Sequence, residues 1–522
     1  MTTFKPNTLY YADGYKVGHK RMLAPKTSRL YGTWIPRSVK HAGKGITKIL
    51  SFSQQLTMRW LHDEYAENFF KLPLDEALKF QKDMSMYLMQ EYDASHFESL
   101  HKLGYLPIRV KSLPEGVETP PNIPHMTFIN TVDGFAWLTL YLETIISSLA
   151  WVGSTSATTA LQYRRNAKEW VMKTDPTNAW LIDFMCHDFS ARGQSPFDMV
   201  SSGLGHATSH KGSDTLIVIP AARYFYKEPE DKVCIYSVNA SEHSVSTTKI
   251  FTVGEKQMII DWLKEFPTGI LSIVADTFDL WKLIVEYLQD PEVKALIMAR
   301  DGKLVIRPDS GDPVDIICGD RGANWGHRFG GAIQEGNNYH VDYYGEHDYN
   351  EGKTIQETQF KGVIELLWDI FGGTTNEQGF KCLDSHIGAI YGDSITLDRQ
   401  VKIYERLAAK GFASTNIVLG VGSYTYRYVT RDTLGFAAKG AWFEADGKGY
   451  DIYKDPVTDD GTKKSKKGLL QVTYDDNMQI ICMDQCTWEQ ESKGLLQVIY
   501  EDGNFFNEAS LEEIRERIKQ LD

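Results

Sequence analysis

The sequence predicts an α/β protein whose centre is a sheet of parallel strands buried on both faces. Five short apolar runs carry this prediction, and they lie at residues 216–219, 233–236, 271–274, 304–306 and, more weakly, 387–390. Continuous runs of this length are typical of strands covered on both sides, as in parallel sheets. Amphipathic stretches at 255–266 and 280–288 lie between some of them and predict helices.

Polar side chains follow most of these runs. Ser237 and Val238 come after the second run, Asp276 after the third, and Arg307 after the fourth. A β/α barrel gathers its active-site residues at the carboxyl ends of its strands. An open, doubly wound sheet would show the same pattern at the point where its strand order reverses. The pattern therefore favours a barrel and leaves the open sheet as the alternative.

The 522 residues divide into three regions of different texture, and a chain of this length can bury a large core. Residues 1–180 are rich in aromatic residues and helix formers, 181–395 hold the apolar runs, and 396–522 hold a glycine-rich turn and a lysine-rich loop. Near the end, Ser510 and Glu513 predict a capping box that opens a terminal helix.

Two local patterns stand apart from this scheme. Residues 317–381 are rich in Gly, Asn, Asp and Tyr, which predicts a long surface excursion between two strands. A short motif at 465–472 recurs at 492–498. Two copies do not make a solenoid, and we predict two similar strands of one small sheet.

Composition excludes several functional classes. Hydrophobic residues make up 42% of the chain and charged residues 24%, which is ordinary for a globular protein. A formal net charge of −13 speaks against nucleic acid as a partner, because that binding needs a basic surface. The most membrane-like stretch, 135–152, has Glu143 at its centre and is too short to span a bilayer, so we predict a buried helix and no membrane partner.

Cysteine and histidine usage points to a reducing compartment and to no metal centre. The N-terminus lacks the apolar core of a signal peptide, and the six cysteines contain no CxxC pair. We therefore expect a cytoplasmic protein with reduced thiols. His206 and His210 are four residues apart but have no HExxH glutamate between them, so the sequence predicts no zinc site.

His243 is the first candidate for chemistry, because it follows a predicted strand between Glu242 and a serine. A single histidine is more often structural than catalytic. Asp276 and Asp309 each follow another strand and could converge on it, and a carboxylate fixes the tautomer of a histidine and raises its basicity. Such an imidazole can act as a general base or as a nucleophile toward phosphorus.

Arg307 and Asp309 form the second candidate, a cation and a carboxylate in the segment Arg-Pro-Asp-Ser-Gly. The forked guanidinium suits bidentate recognition of phosphate or carboxylate. The alternative is a type I turn that carries a surface ion pair.

The third candidate is the glycine turn at 420–424, which follows the segment 416–419, Asn-Ile-Val-Leu. Backbone N–H groups in such a turn can form an anion-binding nest, although a simple strand-to-helix turn is an equal alternative. Arg431, Lys439, Lys454 and a lysine run at 463–467 lie downstream. A lysine run is usually a solvated face, but beside a nest it could hold a pyrophosphate or a 5′-phosphate.

Together these stretches resemble the nicotinamide phosphoribosyltransferases. Segment 13–19, Asp-Gly-Tyr-Lys-Val-Gly-His, is similar to the opening DxYKxxH of that family. Segment 187–193, His-Asp-Phe-Ser-Ala-Arg-Gly, is similar to its HDFxxRG, and segment 211–215, Lys-Gly-Ser-Asp-Thr, to its KGTDT. The match continues in the family's order from about residue 10 to 518, and this ordered set is far more specific than any single motif.

The resemblance implies the fold of type II phosphoribosyltransferases. An irregular β/α barrel would occupy 181–395, and both chain ends, 1–180 and 396–522, would form a second α+β domain. The family implies a homodimer with shared active sites. It also implies transfer of phosphoribose from phosphoribosyl pyrophosphate to nicotinamide in NAD salvage, with Mg²⁺ and with stimulation by ATP through phosphorylation of His243.

The resemblance also implies roles for individual residues. The catalytic set would be His243, Asp276, Asp309 and Arg307. The substrate-binding set would be Asp13, Tyr15, Phe189, Arg192, Asp214, Ser237, Val238, Ser272, Gly392 and Asp393. The phosphate-binding set would be Arg37, Gly420, Gly422, Ser423, Arg431, Lys439, Lys454 and Lys463. Phe189 and Tyr15 would sandwich the pyridine ring, with Tyr15, Arg431 and Lys439 supplied by the partner subunit.

Two departures from the family pattern concern phosphate binding. The glycine turn at 420–424 is less glycine-rich than in the family, and the serine expected two residues before Lys439 is Ala437. Backbone N–H groups can compensate, but the 5′-phosphate affinity could fall. The excursion at 317–381 is also longer than its counterpart in vertebrate members.

Two other functions remain as alternatives. A nicotinate phosphoribosyltransferase shares fold and reaction, but Asp214 would set a carboxylate against the carboxylate of nicotinate, and burying two like charges costs several kcal/mol. A catalytically silent, nucleotide-binding homologue is the second alternative. Retention of His243, Asp276, Arg307 and Asp309 speaks against silence.

Overall fold

The computed structural model describes residues 4–322, 333–344, 350–392, 394–454 and 466–521. Within these ranges the chain forms two seven-stranded sheets and four smaller ones. The strands in chain order are β1 (Thr27–Ile35), β2 (Ile49–Leu50), β3 (Ile108–Ser112), β4 (Glu118–Thr119), β5 (Met126–Asn130), β6 (Cys186–Asp188), β7 (Gly212–Ser213), β8 (Asn239–Ala240), β9 (Thr268–Val274), β10 (Asp301–Arg307), β11 (Ile333–Glu335), β12 (Asn338–Tyr344), β13 (Asn350–Gln356), β14 (Gly373–Thr375), β15 (Lys381–Leu383), β16 (Ile387–Tyr391), β17 (Ile417–Val421), β18 (Ala437–Ala445), β19 (Lys448–Asp451), β20 (Leu469–Tyr474), β21 (Ile480–Cys486), β22 (Gln497–Glu501) and β23 (Asn504–Phe505).

The α-helices cover both large sheets. In chain order they are α1 (His19–Met22), α2 (Gln54–Tyr65), α3 (Leu74–Ala77), α4 (Lys79–Tyr87), α5 (Ser95–Leu103), α6 (Ala136–Tyr141), α7 (Glu143–Thr174), α8 (Pro196–Ala207), α9 (Val218–Tyr226), α10 (His243–Val253), α11 (Glu255–Glu265), α12 (Leu280–Lys282), α13 (Pro291–Met298), α14 (Pro313–Cys318), α15 (Glu357–Phe371), α16 (Leu397–Ala409), α17 (Ser423–Arg427), α18 (Trp488–Ser492) and α19 (Leu511–Lys519).

The first large sheet is parallel throughout, in the order β7–β6–β17–β16–β10–β9–β8. One extended stretch, 236–240, joins its two edges. Tyr236 bridges to Gly212 of β7, with the Ser213 amide donating to the Tyr236 carbonyl at 3.0 Å. The same stretch then becomes β8, which pairs with β9. The sheet therefore curls upon itself, and the predicted barrel is confirmed over the open sheet.

Three of the five predicted strands are confirmed, since 271–274 lies in β9, 304–306 in β10 and 387–390 in β16. The run at 216–219 was wrongly predicted, because it forms a turn and the start of α9. Leu216 is 70% exposed, whereas Val218, Ala221 and Ala222 are buried at helical spacing. Four residues are too few for periodicity to separate the two structures. The run at 233–236 contributes only the bridge at Tyr236.

The predicted helices are confirmed with small changes. Residues 255–265 form α11, and 280–288 begin as α12 and continue as a π-helix at Leu283–Tyr287. The stretch 135–152 lies in α6 and α7, and most of its side chains are buried. In the part of the chain that the structure describes, no helix has both the length and the apolar character to cross a membrane.

The second large sheet is antiparallel and takes its strands from both chain ends, in the order β19–β18–β1–β5–β3–β22–β23. We call it the mixed-end sheet. Strand β1 pairs with β18 on one side and with β5 on the other. In its core Trp34 stacks on Phe436, with ring centroids 4.3 Å apart. Such a pair contributes about 1 kcal/mol beyond its buried area and fastens the two chain ends together.

Part of the segment 317–381 is integral to the barrel. Strands β11, β12 and β13 form a small antiparallel sheet of their own. Helix α15 follows and buries Val363, Ile364 and Leu367 in the same hydrophobic core as the barrel strands. Its sequence is apolar at helical spacing, so the helix covers the sheet as a barrel helix does.

The repeated motif does not give two strands of one sheet, so that prediction was wrong. The first copy lies in β20, which pairs with β21. The second runs from the end of α18 into β22, which pairs with β3 in the mixed-end sheet. Similar strand sequences find different partners because β-propensity depends on the surrounding sheet. The capping box is confirmed, since Ser510 Oγ accepts from the Glu513 amide at 3.2 Å and Glu513 Oε2 accepts in return.

Candidate active site

The segments that leave the barrel strands converge at one mouth, because the carboxyl ends of parallel strands lie on the same side. This mouth carries a predicted residue after almost every strand: Phe189 after β6, Asp214 after β7, Ser237 in the closing stretch, His243 after β8, Asp276 after β9, Asp309 after β10, Gly392 after β16, and Gly422 and Ser423 after β17.

Asp214 is held by two donors on one of its oxygens. His187 Nε2 lies 2.9 Å from Asp214 Oδ1, and the Ser237 hydroxyl donates to the same atom. Burial alone would raise the pKa of Asp214, but the hydrogen bond and charge of His187, the hydroxyl of Ser237 and the charge of Arg307 outweigh it and lower the pKa. Asp214 is therefore a fixed, ionised acceptor at the mouth.

Behind Asp214 the polar groups of β6 are buried. The Asp188 carboxylate accepts from the Ser190 amide at 2.9 Å and from the Thr215 hydroxyl at 2.7 Å, and so ties the segments that follow β6 and β7. Sequence reasoning assigned no role to Asp188 or to His187. Their signal was a His-Asp pair directly before Phe189, at the end of a strand too short to be predicted.

His243 and Asp276 form the second cluster. His243 Nε2 lies 3.0 Å from Asp276 Oδ1, while Asp276 Oδ2 accepts from the Asp309 amide at 3.1 Å and from the Ser310 hydroxyl. The Asp276 side chain is 6% exposed and that of His243 is 46% exposed. Burial would raise the pKa of Asp276, but the donors from Ser310, Asp309 and His243 lower it.

Arg307 braces the segment that leads to His243. Its Nη2 donates to the Ser241 carbonyl at 2.9 Å. The Ser241 amide donates in turn to the carbonyl of Ser272, and Ser241 Oγ accepts from the Val274 amide at 2.9 Å. Ser272 is buried and takes part here through its backbone, whereas Val238 is 39% exposed at the mouth.

Glycines let the chain segments of the mouth approach each other closely. A Cβ at Gly392 would lie 1.8 Å from Asp309 Oδ1, and one at Gly420 would lie 2.1 Å from the Gly392 carbonyl oxygen. A Cβ at Gly193 would lie 2.4 Å from Ser423 Oγ. Side chains at these positions would collide, so glycine is required there for packing rather than for backbone freedom.

Three of the predicted phosphate-binding residues lie on the mixed-end sheet or next to it. Arg37 Nε donates to the Gly435 carbonyl at 2.9 Å, Arg431 lies in the turn before β18, and Lys439 of β18 stands opposite a residue of β1. Within one chain the described contacts therefore do not bring Arg37, Arg431 or Lys439 to Asp214 or His243.

The other predicted residues are solvent-facing or lie elsewhere. Tyr15 is 66% exposed, and Asp13 Oδ2 accepts from the Thr144 hydroxyl at 2.6 Å. Arg192 and Lys454 are exposed. The predictions for Asp393 and Lys463 fall outside the described residues.

Among the described residues, no group of three or more His, Cys, Asp or Glu side chains could hold a metal ion. His206 uses both ring nitrogens on protein groups, the Tyr426 hydroxyl at 2.7 Å and the Gly212 carbonyl at 3.0 Å. His210 Nε2 donates to the Ala160 carbonyl at 3.1 Å. His206 thus holds protein groups through both ring nitrogens, and His210 holds one through Nε2.

Comparison with known proteins gives consistent matches. Residues 184–504 match the model of the nicotinate phosphoribosyltransferase family. The chain is 38% identical to the nicotinamide phosphoribosyltransferase of Acinetobacter baylyi, over 99% of this chain and 98% of that protein. It is 29% identical to the nicotinamide phosphoribosyltransferase of Mycoplasma pneumoniae, over 88% and 94% of the two chains.

Solved structures share the fold at low sequence identity. The human nicotinic acid phosphoribosyltransferase superposes with a TM-score of 0.54 at 15% identity, covering 98% of this chain and 92% of the human one. The nicotinate-nucleotide pyrophosphorylase from Pyrococcus furiosus gives 0.53 at 14% identity, covering 100% and 96%. These likenesses show the type II phosphoribosyltransferase architecture.

Proposed function

The chain belongs to the nicotinate phosphoribosyltransferase family, and we propose that within it the protein is a pentosyltransferase specific for nicotinamide. It joins nicotinamide to phosphoribosyl pyrophosphate and releases nicotinamide mononucleotide and pyrophosphate, in NAD biosynthesis. The full-length relatives support this assignment through their names. The single observation that carries it is the carboxylate of Asp214 at the mouth of the barrel.

Asp214 distinguishes an amide from an acid. His187 and Ser237 both bind Oδ1, so Oδ2 is the atom left to accept a hydrogen bond from a carboxamide N–H. The carboxylate of nicotinate offers no such donor and would repel Asp214. The charge of Arg307 offsets part of that repulsion, but two like charges at a half-buried site still cost several kcal/mol.

The test is a comparison of the two bases. With saturating phosphoribosyl pyrophosphate we expect kcat/KM for nicotinamide to exceed that for nicotinate by more than about a hundredfold. Asp214→Asn keeps the shape of the side chain and removes its charge, so it should narrow that ratio, and Asp214→Ser should narrow it as well. Faster turnover of nicotinate by the wild-type protein would instead support nicotinate phosphoribosyltransferase activity, the function suggested by the family's own description.

The transfer step needs stabilisation of charge at two places. Displacement at the anomeric carbon has oxocarbenium character, and a carboxylate such as that of Asp309 can stabilise the positive charge. Phe189 offers an aromatic face that orients the flat base. The exposed carboxylate of Asp309 fits a Mg²⁺ ion that is carried mainly by substrate phosphates, which is how proteins usually hold Mg²⁺. When bound, that ion would neutralise the departing pyrophosphate.

We propose that ATP stimulates the reaction through His243. Asp276 binds Nε2, which fixes the N–H on that nitrogen and leaves the lone pair on Nδ1. Nδ1 can attack the γ-phosphorus of ATP, forming an N–P bond while the bridging P–O bond to the β-phosphate breaks and ADP leaves. The 46% exposure of the side chain gives a nucleotide access to it.

We also propose a homodimer in which each active site is shared. Arg431 lies in the turn before β18 and Lys439 lies in β18 of the mixed-end sheet, the described contacts join neither to Asp214 or His243, and Tyr15 is exposed. A partner subunit could bring these three residues to the mouth. Two inactive variants, Lys439→Ala and Asp309→Ala, should then regain activity when they are mixed and allowed to exchange subunits. Continued inactivity of a verified heterodimer would contradict the shared site.

We propose a cytoplasmic location because the cysteines form no disulfides. All six cysteines are free in the structure, which suits a reducing compartment.

A further inference from the structure

The base-recognition residue Asp214 is held by a histidine that lies on the neighbouring strand. His187 is the central residue of β6, and it stands directly opposite Gly212 of β7 in the sheet register. Its Nε2 reaches Asp214 Oδ1 at 2.9 Å. The carboxylate cannot donate, so Nε2 carries the proton in this contact.

The fold leaves His187 little freedom to turn away. A Cβ at Gly212 would lie 2.9 Å from His187 Nδ1, so the ring packs directly against the backbone of β7. The Phe189 ring covers the imidazole with a centroid distance of 4.6 Å and a tilt of 31°. Only 11% of the His187 side chain is exposed. The imidazole is thus a rigid donor whose direction is set by the sheet.

We propose that His187 is a specificity-determining residue, which positions the Asp214 carboxylate so that Oδ2 faces the carboxamide of the base. This inference rests on the proposed preference for nicotinamide. It adds His187 to Asp214 as a second residue on which that preference depends. Ser237 also donates to Oδ1, but it lies at the exposed mouth, whereas His187 is anchored in the sheet. Without His187, Oδ1 would keep only the donor from the exposed Ser237, and the carboxylate would be held less firmly.

The charge of Asp214 also depends on this contact. Burial works to raise the pKa of Asp214, and the hydrogen bond and charge of His187 are the largest opposing effects. Arg307 contributes a smaller lowering, while Asp188 of β6 and His206 of α8 are bound to other groups. Loss of His187 should therefore raise the pKa of Asp214, so that a larger fraction of its carboxyl is protonated at the acidic end of the pH range. A protonated carboxyl can donate to the carboxylate of nicotinate, so discrimination should weaken there.

The experiment compares His187→Leu with His187→Gln in the full-length protein. Leucine fills the site without a donor, whereas the amide of glutamine can place an N–H near the position of Nε2. For each variant, kcat and KM are measured for nicotinamide and for nicotinate between pH 6 and 8.5. His210→Gln is the matched control, because His210 is a buried histidine that binds the Ala160 carbonyl.

For His187→Leu we expect the nicotinamide-to-nicotinate ratio of kcat/KM to fall at least about tenfold, the value of one hydrogen bond to a charged group. The loss should appear mainly in KM for nicotinamide and should grow as the pH falls. His187→Gln should recover most of the ratio, and the control should keep it. If the leucine variant does not fold, His187→Asn replaces it, since the shorter amide stops short of Asp214.

The outcomes separate the two proposals. A folded His187→Leu protein with wild-type selectivity would overturn the role of His187 and leave the preference for nicotinamide intact. An equal loss in the leucine and glutamine variants would overturn the donor argument. A wild-type protein that prefers nicotinate would overturn the proposed function itself.

Discussion

Gly392 offers a sharp test of the mouth geometry, because its missing side chain makes room for a carboxylate. A Cβ at this position would lie 1.8 Å from Asp309 Oδ1 and 2.9 Å from Asp309 Cγ. Non-bonded atoms rest about 3.5 Å apart, so Gly392→Ala would displace the carboxylate by roughly 1.7 Å. Gly392 does not have a positive φ, so alanine adds no backbone strain.

A displacement of this size should act on catalysis more than on stability. Misplacement of a reacting group by about 1 Å can cost a hundredfold in rate, so we expect kcat/KM for phosphoribosyl pyrophosphate to fall about a hundredfold. The assay is the initial rate of nicotinamide mononucleotide formation, with circular dichroism to verify folding.

Gly388→Ala is the control, because Gly388 lies in β16, the strand that Gly392 follows. Its Cβ would meet only Lys303 Cδ at 3.1 Å and more distant side-chain atoms. A folded Gly392→Ala protein with wild-type rates would refute the view that the position of Asp309 matters.

Three further predictions concern charge. Asp276→Asn should abolish most of the increase in rate that ATP produces, while the rate without ATP persists, because the amide can hold His243 in the wrong tautomer. Paired assays with and without ATP measure this increase. An unchanged increase would contradict the prediction. Burial raises the pKa of Glu115 to about 7, so stability is lost as pH rises toward and through that value. Glu115→Gln should recover on the order of 3 kcal/mol at pH 8 and much less at pH 5, by urea unfolding. Burial lowers the pKa of His96 and of His125 to about 3, so stability should fall by roughly 2.7 kcal/mol per pH unit below about 6.5. His125→Asn should halve that slope; an unchanged slope would count against a neutral, buried His125.

The strands that could be predicted from the sequence are those that contain a continuous apolar run of their own. Strands β9, β10 and β16 are continuous apolar runs, and each was recognised as such. Strands β6 and β7 have three and two residues, and their pairing is supplied by the sheet rather than by local propensity. The run at 216–219 misled because its apolar residues serve a helix, and a run of four cannot reveal a period of 3.6.

The sequence identified which residues form the candidate site but not which residues they contact. Ordered motifs named Asp214 and His243, and positions after strands suggested where they would lie. The partners of these residues depend on register. His187 meets Asp214 because His187 stands opposite Gly212, and a shift of one residue would turn its side chain to the other face of the sheet.

The mixed-end sheet has a consequence for how the protein is made. Residue 27 of β1 lies opposite residue 445 of β18, and β22 completes the sheet only beyond residue 496. During synthesis β1, β5 and β3 can pair with one another early. The outer edge of β1 must wait for β18, and that of β3 for β22, until the whole barrel and almost the entire chain have emerged from the ribosome. Closing so long a loop is slow, and unpaired strand edges are prone to aggregate in the meantime. We expect β1 and β3, whose outer edges stay unpaired longest, to be the segments that most need a chaperone, and we expect the barrel to fold before the mixed-end sheet is complete.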